Sequence, residues 1–288
     1  MRAPGHGLAG AGLLLVLNFS PTAAASITFS ASGSLPAAIQ GTVDDFRTVL
    51  GTLNPNVAGS FGSGRREINW DAVPDALSAP NNLPANFFNV NSPRGALFST
   101  PGTGFQVSAN FGVAPIEFDT INASYSAIFQ TFSPQRLFTA LSTTVMDVSF
   151  VVPGSNTPAF TSGFGAVFTD VDVANTTSIQ FFDTQNNSLG TFFAPVANNG
   201  LSFLGVFFNA GEQIGHVRIT SGNAALGAGV TDGVLGTDLV VMDDFLYGEP
   251  SAAAAAVPEP SSLLLLGLGA LGLRWSKRLM QSGASRKS

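Results

Sequence analysis

From Thr144 onward, apolar and polar residues alternate in short runs separated by turn formers. In Thr144–Val152, Met146, Val148, Phe150 and Val152 fall on one face, with Asp147 and Ser149 on the other. That is the period-two signature of a half-buried strand. Phe164–Val173, Ser178–Phe182, Leu189–Phe193, Phe203–Phe208, Ile214–Thr220 and Leu239–Tyr247 are similarly short and rich in β-branched or aromatic side chains, which suit a pleated surface. Between them lie Pro153-Gly154-Ser155-Asn156, Asn186-Asn187, Asn198-Asn199-Gly200, Ser221-Gly222-Asn223 and Asp232-Gly233, all residues that favour turns. This series predicts an all-β fold, an antiparallel β-sandwich of the jelly-roll kind.

The first half gives a fainter pattern. Gly, Pro and Asn interrupt Ser26–Asn122 repeatedly, as in Asn54-Pro55-Asn56, Ala79-Pro80-Asn81-Asn82 and Ser92-Pro93-Arg94-Gly95. Glu67–Trp70, Ala96–Ser99 and Phe105–Ala109 read as strands inserted into the same sheets, with long loops draped over them. Asp44–Leu50 predicts one or two helical turns. The domain spans residues 26–250, and Ser251–Ala256 reads as an Ala-rich linker.

Both ends of the chain have a different character. Residues 1–25 carry Arg2, an apolar run over Leu8–Leu17 and Ala23-Ala24-Ala25 before Ser26, the three regions of a secretory signal peptide. At the other end stand Val257, Pro258, Glu259 and Pro260, then Leu263–Leu273 almost without a polar side chain, then Arg274, Trp275, Lys277 and Arg278. At about 1.5 Å per residue the apolar run falls short of a hydrocarbon core of about 30 Å, and Trp275 at the interface with snorkelling cations would close the gap. The cations that follow place this end in the cytoplasm and the body outside.

The tail over residues 257–280 closely resembles the PEP-CTERM sorting signal of Gram-negative bacteria: Val-Pro-Glu-Pro, a hydrophobic helix and a basic end. The resemblance implies an exosortase as partner, processing near Pro258-Glu259-Pro260, a transient inner-membrane anchor through the C-terminal helix, and an exported protein of the cell surface or extracellular matrix. It says nothing about the body. Asn81–Asn89 and Val240–Phe245, together with the segment around Trp70, loosely resemble a recurring type of uncharacterised secreted bacterial protein with no known activity.

Charge narrows the partners. Between Ser26 and Pro250 lie 17 acidic residues and six arginines with no lysine, a net charge of about −11. Such a body lacks the cation stripes that nucleic acid and anionic surfaces require. Cysteine is absent, so the fold depends on its core. Phe is abundant and Trp and Tyr are scarce, a bias toward core filling between packed sheets.

Candidate chemistry is sparse, and the sequence offers no catalytic residue set. His216 is the one His of the body and shares a strand face with Arg218, toward solvent. No Gly-x-Ser-x-Gly elbow is present, and a single His without Cys makes a poor catalytic zinc site. Asp170 and Asp172 lie two apart in a strand, on one face about 7 Å from each other. Oxygen ligands of this kind favour calcium, the one cofactor the sequence raises; solvated or Arg-paired acids are the alternative. Asp243 and Asp244 point to opposite faces of a regular strand, while Asp183 and Asp232 serve turns. Arg65, Arg66 and Trp70 sit in the densest charged segment and form either a ligand-facing patch for a sugar or a strand whose Ile68 and Trp70 enter the core. The reading is a non-catalytic surface or matrix protein that binds polysaccharide, its rivals being a purely structural or adhesive component and a carbohydrate-active hydrolase.

Overall fold

The computed structural model describes residues 25–252. The signal peptide and the sorting tail expected from the sequence lie outside the described residues. The first half supplies β1 (Ser26–Gly33), α1 (Pro36–Leu50), β2 (Arg65–Ile68), β3 (Ala96–Ser99), β4 (Gly104–Val107) and β5 (Phe138–Leu141). The second supplies β6 (Val145–Phe150), β7 (Ala159–Phe160), β8 (Gly163–Val171), β9 (Ser178–Asp183), β10 (Ser188–Phe193), β11 (Ala197–Phe208), β12 (Ile214–Thr220), β13 (Val241–Gly248) and β14 (Ser251–Ala252).

Two antiparallel sheets face each other, as expected of an all-β sandwich. The larger runs β1-β11-β8-β13-β5-β4, with β2 also paired to β13; the smaller runs β10-β9-β12-β6-β3. Strands of the first half therefore pair with strands of the second in both sheets. β14 pairs with β7, so the ordered body continues two residues into the stretch expected as a linker.

Between the sheets, Phe164, Phe168 and Phe245 of the larger meet Met146, Val148, Phe181, Val217 and Ile219 of the smaller. On the far side of the larger sheet, α1 lays Ile39, Val43, Phe46 and Leu50 over Val167, Leu201, Phe203 and Leu246. Their spacing of four, three and four residues makes one helical face. The helix is longer than the one or two turns expected, because its first two turns carry Pro36, Ala37, Ala38 and Gly41, which give little hydrophobic signal. Phe46 reaches the sheet through a cross-strand glycine pair, Gly165 and Gly205. A Cβ on Gly165 would stand 2.9 Å from the Phe46 ring, and one on Gly205 would stand 3.0 Å from it. Among the described residues no helix is long and apolar enough to cross a membrane.

Candidate metal centre

The site forms where β8 stops. At Asp170 the backbone turns left-handed, with φ of 69°, a conformation Asp tolerates better than most residues. Opposite it, the pairing of β11 jumps from Ala197 to Leu201. The N–H of Asn199, in the skipped stretch, donates to Asp170 Oδ1 at 2.8 Å. Two residues on, the N–H of Asp172 donates to Asp238 Oδ1 at 2.8 Å, and the Thr176 hydroxyl donates to Asp238 Oδ2. Asp238 belongs to the connection between β12 and β13, where its own N–H donates to Asn223 Oδ1 at 2.9 Å. In the same connection the N–H of Leu239 donates to Asp232 Oδ1 at 2.9 Å.

These anchors bring one carboxylate oxygen each from Asp170, Asp172 and Asp232 to within 4.8 Å of one another. The expectation of two acids about 7 Å apart on a regular strand is thereby corrected, since β8 ends between them and a third acid joins. Asp170 is 1% exposed, and its Oδ2 and Asp172 Oδ1 are buried without a hydrogen-bond partner. Burial, reinforced by the charges of Asp232, Asp172 and Asp238, pushes the Asp170 carboxyl up to about 8. Burial and the neighbouring Asp232 push Asp172 up to about 6. Asp238 is raised as well, again by burial first. Ion pairs among the described residues engage Asp44, Glu67, Asp75, Asp147, Asp244 and Glu249, and none of the three clustered acids. A compact set of hard oxygens without a counter-charge is the donor chemistry that suits calcium.

Of the two readings of the segment around Trp70, burial favours the strand whose Ile68 and Trp70 enter the core over a ligand-facing patch. Trp70 is buried, stacks on Phe138 at 4.0 Å and meets Phe88 and Phe245 edge-on. Its indole N–H donates to the Asp243 carbonyl at 2.8 Å, so the ring has no face left for a sugar. Arg66 is fully buried and forms a forked pair with Glu249, at 2.6 and 2.9 Å. Its remaining N–H groups donate to carbonyls of Pro55, Gly59 and Pro93. Arg65 donates to Glu67 at 2.6 Å and to the Gly51 carbonyl, joining the end of α1 to β2.

Asp243 and Asp244 do not diverge as expected. The pairing of β13 with β8 slips between Met242 and Phe245, a bulge that re-aims side chains. The Ser133 hydroxyl lies 2.6 Å from Asp244 Oδ1 and 3.3 Å from Asp243 Oδ1. Asp243 Oδ2 accepts from the N–H groups of Phe132 and Ser133 at 2.6 and 3.1 Å. Burial, then the neighbouring charge, raises Asp243 well above the carboxylate range, and burial pushes Asp244 up to about 6. His216 shares its face with Arg218 and stacks flat on Phe182 at 4.4 Å. Asp183 serves its turn, accepting from the N–H groups of Gln185 and Asn187 at 2.8 Å each.

Asp232, expected only to serve a turn, is the cluster member that sequence reasoning missed, and Asp238, which accepts from the Asp172 N–H beside it, was not singled out either. Their signal was the end of β8 facing the connection into β13, which only the strand order reveals.

The remaining motif is in the tail, where residues 256–278 match the model of the PEP-CTERM protein-sorting motif. The chain carries a PEP-CTERM sorting motif. It is therefore exported and processed by an exosortase at the membrane. Val257, Pro258, Glu259 and Pro260 fall within the match, as do Arg274, Lys277 and Arg278; all lie outside the described residues. No curated protein matches the chain. Among solved structures, it is similar to the enzymatically active domain of bacteriophage CBA120 tailspike protein 4, at 14% identity and a TM-score of 0.26. The match covers 62% of this chain and 22% of that one.

Proposed function

We propose that the body is a non-catalytic, calcium-binding β-sandwich that serves as a polysaccharide-binding component of the cell surface or extracellular matrix. One observation carries the calcium reading: the orphaned, fully buried Oδ2 of Asp170, in a triad with Asp172 and Asp232. A buried carboxylate without a partner is costly, and a divalent cation removes that cost. The sorting motif supports a surface role, because an exosortase substrate is delivered outside the cell, where calcium is plentiful. The non-catalytic reading is supported by the placement of the other acid pair, since Asp243 and Asp244 are buried beneath Ser133 and present nothing to a substrate.

Isothermal titration of the detergent-solubilised full chain with calcium tests the metal reading. One site is expected, with heat lost in Asp170→Asn and in Asp232→Asn. A wild-type chain that takes up no calcium, or variants that bind as well as wild type, would overturn it.

A further inference from the structure

Resting on the calcium reading above, we infer that the ion is also the sugar contact: a neutral glycan binds by placing two vicinal hydroxyls in the open positions of the calcium shell. The triad supplies one oxygen from each of three carboxylates, whereas calcium takes about six to eight oxygen ligands. Roughly half of the shell is thus left to other donors. The burial of the three acids sets the side from which a ligand would reach them. Asp170 forms the buried floor of the site, while Asp172 and Asp232 are half-exposed at its rim.

Charge selects the ligand. Three carboxylates around one Ca²⁺ remain net negative, and Asp238 adds a further carboxylate beside Asp172. The whole body is strongly acidic. A uronate or phosphate approaching this centre would meet like charge at close range, whereas hydroxyls coordinate without it. The connection that carries Asp232 also offers apolar surface. Three residues beyond Asp232, Leu235 is fully exposed and Val234 more than half exposed. Both lie in a tight turn closed by the Gly233 N–H on the Thr237 carbonyl at 2.9 Å. A pyranose ring has an apolar face of matching kind, and large apolar side chains set in water mark contact surfaces.

Mannopentaose and cellopentaose, which present cis and trans vicinal hydroxyls, and oligogalacturonate as the anionic control, would be titrated into the calcium-loaded full chain. At least one neutral oligosaccharide is expected to bind, with binding abolished by EDTA and at least tenfold weaker oligogalacturonate binding. Leu235→Ser is expected to keep the calcium isotherm while weakening the neutral sugar several-fold. Calcium uptake without binding of either neutral sugar, sugar binding that survives EDTA, or tighter binding of oligogalacturonate would overturn the inference and leave the metal site standing. Absence of calcium uptake would instead remove the metal site, and this inference with it.

Discussion

Arg66 sets the terms for single residues in this protein. Its charge is wholly out of water and is matched by Glu249 and by a ring of carbonyls. Removing one partner strands the other, at about 3–5 kcal/mol. Arg66→Met should therefore lower the unfolding free energy measured in urea by that amount, and Arg66→Met with Glu249→Leu should recover part of the loss; equal losses in both variants would contradict the pairing. Asp243 and Asp244 make a second prediction. Both carboxyls are raised in the folded state, so the folded state binds more protons than the unfolded chain. Their contribution is complete below the ordinary carboxylate range and is lost as pH rises through about 6 and beyond. Stability measured by urea unfolding should fall across that window, and Asp243→Asn should flatten the fall; an unchanged pH profile in the variant would refute the assignment. Single residues are also where the sequence leaves most open. Arg65, Arg66 and Trp70 admit a surface patch or a strand entering the core, and nothing in one dimension shows that Glu249 pairs with Arg66.

At the scale of elements, the pattern works best where one face is wet. β6 alternates half-buried and buried residues along its whole length, and its sequence alternates to match. β8 and β13 are buried throughout, because α1 or the Phe118–Leu137 region covers the face that turns away from the smaller sheet. Their runs are accordingly more continuous, yet their length and aromatic content still mark them as strands. β1 and β5 escaped. β1 is an edge strand, mostly exposed, with Ser and Thr between its apolar residues, and β5 is buried at three of its four positions and so lacks alternation. The glycine pair under Phe46 had no signal at all, since its meaning depends on which strands are neighbours. Adding a methyl group at Gly165 forces Phe46 or β11 to shift, and overpacking of this kind costs about 1–3 kcal/mol. Gly165→Ala should lower stability by that amount in chemical denaturation, with Gly41→Ala, where a Cβ meets nothing within 4 Å, as the control that does not. Equal behaviour of the two would refute the close approach.

For the whole molecule, the sandwich follows from alternation and turns, and the destination from the tail. Glu259 lies in the sorting motif, so Glu259→Ala should leave the protein unprocessed in the inner-membrane fraction of an exosortase-bearing host. Normal processing of the variant, seen by the size of the product, would contradict the sorting assignment. The candidate metal centre stands between these extremes. Asp170 and Asp172 were visible as a pair, but Asp232 is 60 residues away and reaches them only because β13 lies beside β8. The left-handed turn at Asp170 and the bulge of β11 complete the geometry, and the sequence marks the second only as the turn formers Asn198-Asn199-Gly200. The most direct measurement is the anomalous difference map of a crystal of the protein soaked in terbium, a calcium mimic. One strong peak is expected, bounded by Asp170, Asp172 and Asp232 and absent from crystals of Asp232→Asn; a well-ordered crystal with no peak between these three carboxylates would rule the metal centre out.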